Sequence, residues 1–123
     1  MSDNLDLRGN TLLVDVVVLG SNATDAAPVK GFYMTPAAVS VSVPSITDPD
    51  IARVQVDVSS AFSVQPAVGD AVIAIPLVAL PTNARLQGAW VSATDQVEIT
   101  FGSEGGNVTG ASKNFKFLLI DLT

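Results

Sequence analysis

The amino-acid sequence predicts an all-β fold: an antiparallel β-sandwich, jelly-roll or Ig-like, of about seven to eight strands with a flexible N-terminal arm. Three observations carry this. Short runs rich in Val recur along the chain, and several alternate strictly between apolar and polar residues. Turns built from Gly, Pro and Asp separate them. No window of helical length sustains a 3.6-residue period. The length of 123 residues suits one domain. We divide the chain into an arm over 1–11 and a single sandwich over 12–123.

The polar start, with Asp3, Asp6, Arg8 and Gly9, gives the arm. Leu12 to Leu19 is short and Val-rich and predicts a strand, followed by a turn-rich loop to Lys30. Gly31 to Val43 begins irregularly around Pro36, which cannot donate to a ladder. It then places Val39, Val41 and Val43 on one face and Ser40 and Ser42 on the other. After the loop Pro44 to Asp50, Val54, Val56 and Val58 alternate with Arg53, Gln55 and Asp57, the pattern of a half-buried strand. A connection containing Phe62 and Pro66 leads to a Gly69-Asp70 turn. The continuous apolar run "AVIAIP" that follows predicts a strand covered on both faces.

Arg85 to Ser92 and Gln96 to Phe101 form a predicted hairpin through Ala93, Thr94 and Asp95, with Trp90 in the core near Val97 or Ile99. "GSEGGNVTG" is expected to be a flexible link. Lys113 to Leu122 closes the set as a strand with Phe115 and Phe117 inward.

Composition excludes several chemistries. There is no Cys and no His. Disulfides, thiolate nucleophiles, iron–sulfur clusters, the usual zinc ligands and a Ser-His-Asp triad are all ruled out. Net charge is −6, which disfavours nucleic acid, because phosphate affinity comes from Lys and Arg. Asp48 and Asp50 in "TDPD" lack the ligand pattern of a calcium loop, and Thr47 and Asp48 suit a turn before Pro49. "GSEGGNVTG" lacks the ending of a phosphate-binding loop, and the "NAT" and "NVT" triplets at Asn22 and Asn107 are chance matches to a glycosylation signal. Asp95 and Asp70 suit turns; Asp15 and Asp121, inside apolar strands, are expected to face solvent or a cation on a neighbouring chain. No catalytic residue, cofactor or metal is predicted, and the chain is not expected to be an enzyme.

Charged residues make up only 15 % against 48 % apolar, yet the longest strongly apolar stretch, Leu12 to Leu19, is too short to cross a bilayer and contains Asp15. No membrane partner is expected, and no secretory signal is evident at the acidic start. Uncharged surface must therefore be exposed, which marks contact sites. The expected contact residues are Leu5, Leu7 and Arg8 in the arm and Phe32, Tyr33 and Met34 in "GFYM", since aromatics and Met are enriched at interfaces.

Five segments occur in order: "VQVDV" from Val54, "AVGDAVIAIP" from Ala67, "GAWVSATDQVEITFG" from Gly88, "NVTG" from Asn107 and "FKFLLIDL" from Phe115. Together, over roughly the second half of the chain, they resemble the C-terminal β-sandwich module of small virion proteins of tailed double-stranded DNA phages. That group includes head decoration (cement) proteins and fibre or tail-associated structural proteins. The "SEGG" insert before Asn107 lengthens its turn beyond the usual pattern. The resemblance implies a structural protein on the outer capsid surface. Its partners would be the major capsid protein and itself, as a homotrimer, and it would stabilise the assembled head through contacts between capsomers. The alternative is a tail, fibre or spike component that binds a host surface glycan or protein.

Overall fold

The computed structural model describes residues 17–18 and 28–123. The expected contact residues Leu5, Leu7 and Arg8 lie outside the described residues, as does Asp15. The described residues hold nine strand segments and no helix: β1 (Val17–Val18), β2 (Pro28–Val29), β3 (Gly31–Met34), β4 (Val39–Val43), β5 (Ile51–Asp57), β6 (Ala71–Pro76), β7 (Ala84–Ala93), β8 (Gln96–Ser103) and β9 (Ala111–Asp121). The fold is all-β, consistent with a sandwich, and every named strand pair is antiparallel.

One sheet is organised around β9. Its residues 118–121 pair with β3, residues 111–115 with β4, and residues 115–120 with β6. β3 and β4 therefore lie end to end along one edge of β9, with β6 along the other. The second sheet has the order β5-β8-β7. Alternation decides what each strand buries. Val41, Val43, Phe115, Phe117 and Leu119 from the first sheet meet Val56, Val97, Ile99 and Phe101 from the second in one core. Phe115 sits edge-on to Phe101 at 6.3 Å and lies beside Phe117 at 6.2 Å. Ser40 and Ser42 face out, as their alternation with valines predicts.

The break between β3 and β4 is bridged by a side chain. Pro36 has no N–H to offer. Thr35, fully buried, donates its backbone N–H to Phe117 O at 3.0 Å, and its hydroxyl accepts the Phe117 N–H at 3.1 Å. The hydroxyl thus takes the place of a ladder carbonyl. Thr35→Val keeps the shape but strands a buried donor, so it is expected to cost about 2 kcal/mol. Urea unfolding of the variant checks this; an unchanged midpoint would show that the hydroxyl is dispensable.

β7 and β8 join through Thr94 and Asp95, with Asp95 at φ 61° and a register shift next to Ser92. Asp95 stands in the turn and ties it to other segments: its carbonyl accepts the Val58 N–H, and its carboxylate accepts from the Gln65 amide at 3.0 Å. Asp57 ends β5 in a local turn. The Ser59 backbone N–H, then the Ser59 hydroxyl, hold its carboxyl below the usual carboxylate range.

Three expectations are corrected. Trp90 is not in the core: it pairs with Glu98, lies on the outer face of its sheet, and is 41 % exposed. The inward positions of β7 are taken by Ala89 and Val91 opposite Ile99 and Val97. "AVIAIP" is not covered on both faces, because Val72 and Ala74 turn inward while Ile73 is 50 % exposed. "GSEGGNVTG" is tied down rather than free. Asn107 accepts the Asp48 N–H on its side-chain oxygen, Val108 bridges to Ile46, and the Asn83 amide donates to Asn107 O. Gly105 and Gly106 supply the positive φ that this path needs.

Asp70 anchors the exit of β9. Its Oδ1 accepts the N–H groups of Leu122 and Thr123 and the Thr123 hydroxyl, and its Oδ2 accepts the Ala67 N–H. Burial pushes the carboxyl up, but these four bonds outweigh it and hold its pKa below the ordinary value. Asp121 is half-buried and accepts the Thr123 N–H at 3.3 Å.

A candidate docking face

The outer surface of the first sheet is divided along β9. Even-numbered residues of β9 point away from the core, because Phe115, Phe117 and Leu119 point into it. Over residues 112–116, which include the part paired with β4, this outer row reads Ser112, Asn114 and Lys116. In the half paired with β3 it reads Leu118 and Ile120. Register extends the apolar half sideways: Phe32 and Ala71 flank Ile120, and Met34 and Ile73 flank Leu118. Phe32 is 53 % exposed and Met34 46 %. Ile75 adds a further row beside Lys116, which marks the border of the patch.

Antiparallel sheets with one wet face ordinarily carry polar residues there. The second sheet is mostly polar there, with Arg53, Gln55, Asp57, Glu98 and Thr100 on its outer face beside the exposed Ile51 and Trp90. The first sheet obeys it over only half its length. Large contiguous apolar patches on a protein surface mark interaction sites. This one contains no carboxylate, although the chain carries twelve.

Phe32 and Met34 stand on this face. Tyr33, between them, pairs with Leu119 and packs against the core, with its ring folded back over Gly31. The three expected contact residues of "GFYM" are thus split two to one by the pleat. Ile73, Leu118 and Ile120 complete the face and escaped sequence reasoning. The sequence carries only half of the signal: "AVIAI" and "FLLI" are apolar at both parities, which marks an apolar outer face without saying whether it is covered.

Among the described residues no group of three or more acidic side chains is placed to hold a metal ion. Asp48 and Asp50 belong to the loop packed on Ser103, whose hydroxyl lies 3.3 Å from Asp48 Oδ1 and 3.2 Å from Asp50 O. Arg85 pairs with Glu104 at the surface of the same end.

The fold and this face define an all-β protein with an apolar half-sheet, on which Phe32, Met34 and Ile73 are exposed among the described residues. No protein-family model, curated protein or solved structure matches the chain.

Proposed function

We propose that the chain is a structural virion protein: a decoration or cement protein that binds the assembled head of a tailed double-stranded DNA phage and braces neighbouring major capsid proteins. The apolar half-face of Phe32, Met34, Ile73, Leu118 and Ile120 carries the reading, because a contiguous apolar patch on a protein surface marks a contact site. The reading gives that role to assembly contacts, within a homotrimer or against the shell. The same reading takes the five ordered segments of the second half of the chain as those of a virion β-sandwich module. The mechanism is mass action: a protein that binds only the assembled shell favours that shell over its dissociated or unexpanded forms.

Co-sedimentation with expanded, undecorated heads tests this, alongside light scattering of the free protein. The wild-type chain is expected to scatter as a trimer and to pellet with heads but not with unassembled capsid protein. The double variant Phe32→Ser, Ile73→Ser should stay in the supernatant while melting within a few degrees of wild type, since both side chains are exposed. Pelleting of the variant at wild-type levels would remove the face from the reading. A wild-type protein that ignores heads but adheres to host cells would favour a fibre or receptor-binding component.

A further inference from the structure

One edge of β3 pairs with β9, and among the described residues no strand pairs with the other. Backbone direction shows what that second edge carries. Thr35 donates its N–H to Phe117 O, toward β9. Successive residues of a strand aim their N–H and C=O groups at opposite edges. Tyr33, like Thr35, therefore faces β9, and the N–H and C=O groups of Phe32 and Met34 point to the second edge. Such a row is a template for another strand.

The same edge already has an occupant one step upstream. β1 and β2 pair antiparallel, Val17 with Val29 and Val18 with Pro28. Pro28 has no N–H to exchange, so the pair that exchanges hydrogen bonds is Val17 with Val29. Lys30, the next residue, donates its N–H to Asp121 O at 2.7 Å, toward β9. Val29 therefore faces away from β9, and β1 lies on the edge that β3 leaves open. Because β1 runs antiparallel to β2, the chain before Val17 is aimed along β3 toward Met34. Gly31 pairs with Asp121 as well, so the edge carries one extra residue at Lys30 and Gly31, as at a β-bulge.

We propose that residues 12–16 of the same chain, which lie outside the described residues, dock on β3 as its edge strand. The four residues of β3 need a partner about 13 Å long, and five residues at about 3.3 Å each supply it. Val14 and Val16 are β-branched, and Leu12 and Leu13 are apolar, which suits a strand laid at the rim of an apolar face. The chain's own segment is favoured over that of a second copy, because β1 already holds it at the edge and pairing closes no new loop. Residues 1–11 then leave the sheet at its Met34 end. The arm that carries Leu5, Leu7 and Arg8 starts from the same surface as Phe32 and Met34. The docking rests on backbone direction alone and stands whether or not the chain binds phage heads.

Amide hydrogen exchange of the full chain, read by NMR, tests this. Tyr33 is the internal reference, because its N–H is held by β9 in any case. In wild type the Phe32 and Met34 amides are expected to exchange as slowly as that of Tyr33. The double variant Leu13→Pro, Val14→Pro cannot complete a ladder, and should speed Phe32 and Met34 by about tenfold or more while Tyr33 stays slow. Should the variant unfold, cross-strand nuclear Overhauser contacts in wild type, between backbone protons of residues 12–16 and of β3, decide the matter by their presence. Fast exchange at Phe32 and Met34 in wild type, unchanged protection in the folded variant, or absence of those contacts would overturn the proposal. So would contacts seen only between differently labelled copies in a mixed sample, which would assign the edge to a second copy.

Discussion

Phe115→Ala is expected to destabilise the fold by about 4 kcal/mol, the largest effect of any substitution considered for this chain. Phe115 is fully buried at the junction of both sheets, against Phe101 from one and Phe117 from its own strand. Truncation removes the transfer energy of the ring, leaves a cavity that close-packed neighbours cannot fill, and ends both aromatic contacts. Urea unfolding should show a lower midpoint with an unchanged slope, the mark of altered stability without altered exposure. Phe32→Ala is the natural control. Phe32 pairs with the outward Ile120 on the opposite face of the same sheet, so truncating it should change the stability of a dilute monomer by less than about 0.5 kcal/mol. Equal losses at both positions would contradict the assignment of inner and outer faces.

Asp70→Ala is expected to cost about 3 kcal/mol, because four donors lose a charged acceptor at once and the site is nearly closed to water. The same carboxylate makes stability depend on pH. Its folded pKa lies below the unfolded value of 3.8, so its contribution is fully present above that value and disappears as pH falls through the folded pKa. Thermal melts between neutral pH and strong acid should therefore show a fall in wild type below about pH 4 that is smaller in Asp70→Asn. Asn also places an amide against the Ala67 N–H, so the variant should start from a lower plateau. Parallel acid curves for the two proteins would move the acid sensitivity to other carboxylates.

Much of the architecture was legible because period-two patterns are hard to satisfy in any other way. β4, β5 and β8 each carry valines or Ile and Phe on one parity and polar residues on the other, and each buries the parity its sequence marks. β6 and the far half of β9 were opaque for the same reason. "AVIAI" and "FLLI" are apolar on both parities, which a strand buried on two faces and a strand with a bare outer face share. Only the arrangement of layers separates them. Trp90 was misjudged because residue size favours the core, whereas its side is set by pairing with Glu98 across the hairpin. The outer surface of β7 has a register shift at Gln87 and open space over Gly88. Neither leaves a pattern in the one-dimensional string. "GSEGGNVTG" reads as loose from its glycines, and its order comes from Asn83 and the Pro44–Asp50 loop, which are distant in sequence.

The central place of β9 has a consequence for how the chain is made. β5, β7 and β8 are complete once Ser103 has left the ribosome, and β7 and β8 are joined by a two-residue turn, so that half can pair early. β3, β4 and β6 have no long partner until residues 111–121 emerge. For that interval three apolar strands wait with open edges, and an unpaired edge is a template for pairing with another chain. A chain truncated after Ser103 should therefore show a protease-resistant second sheet beside a sensitive first one. The element that orders half the molecule is also the one whose late arrival leaves it exposed to intermolecular pairing and to the cell's holding chaperones.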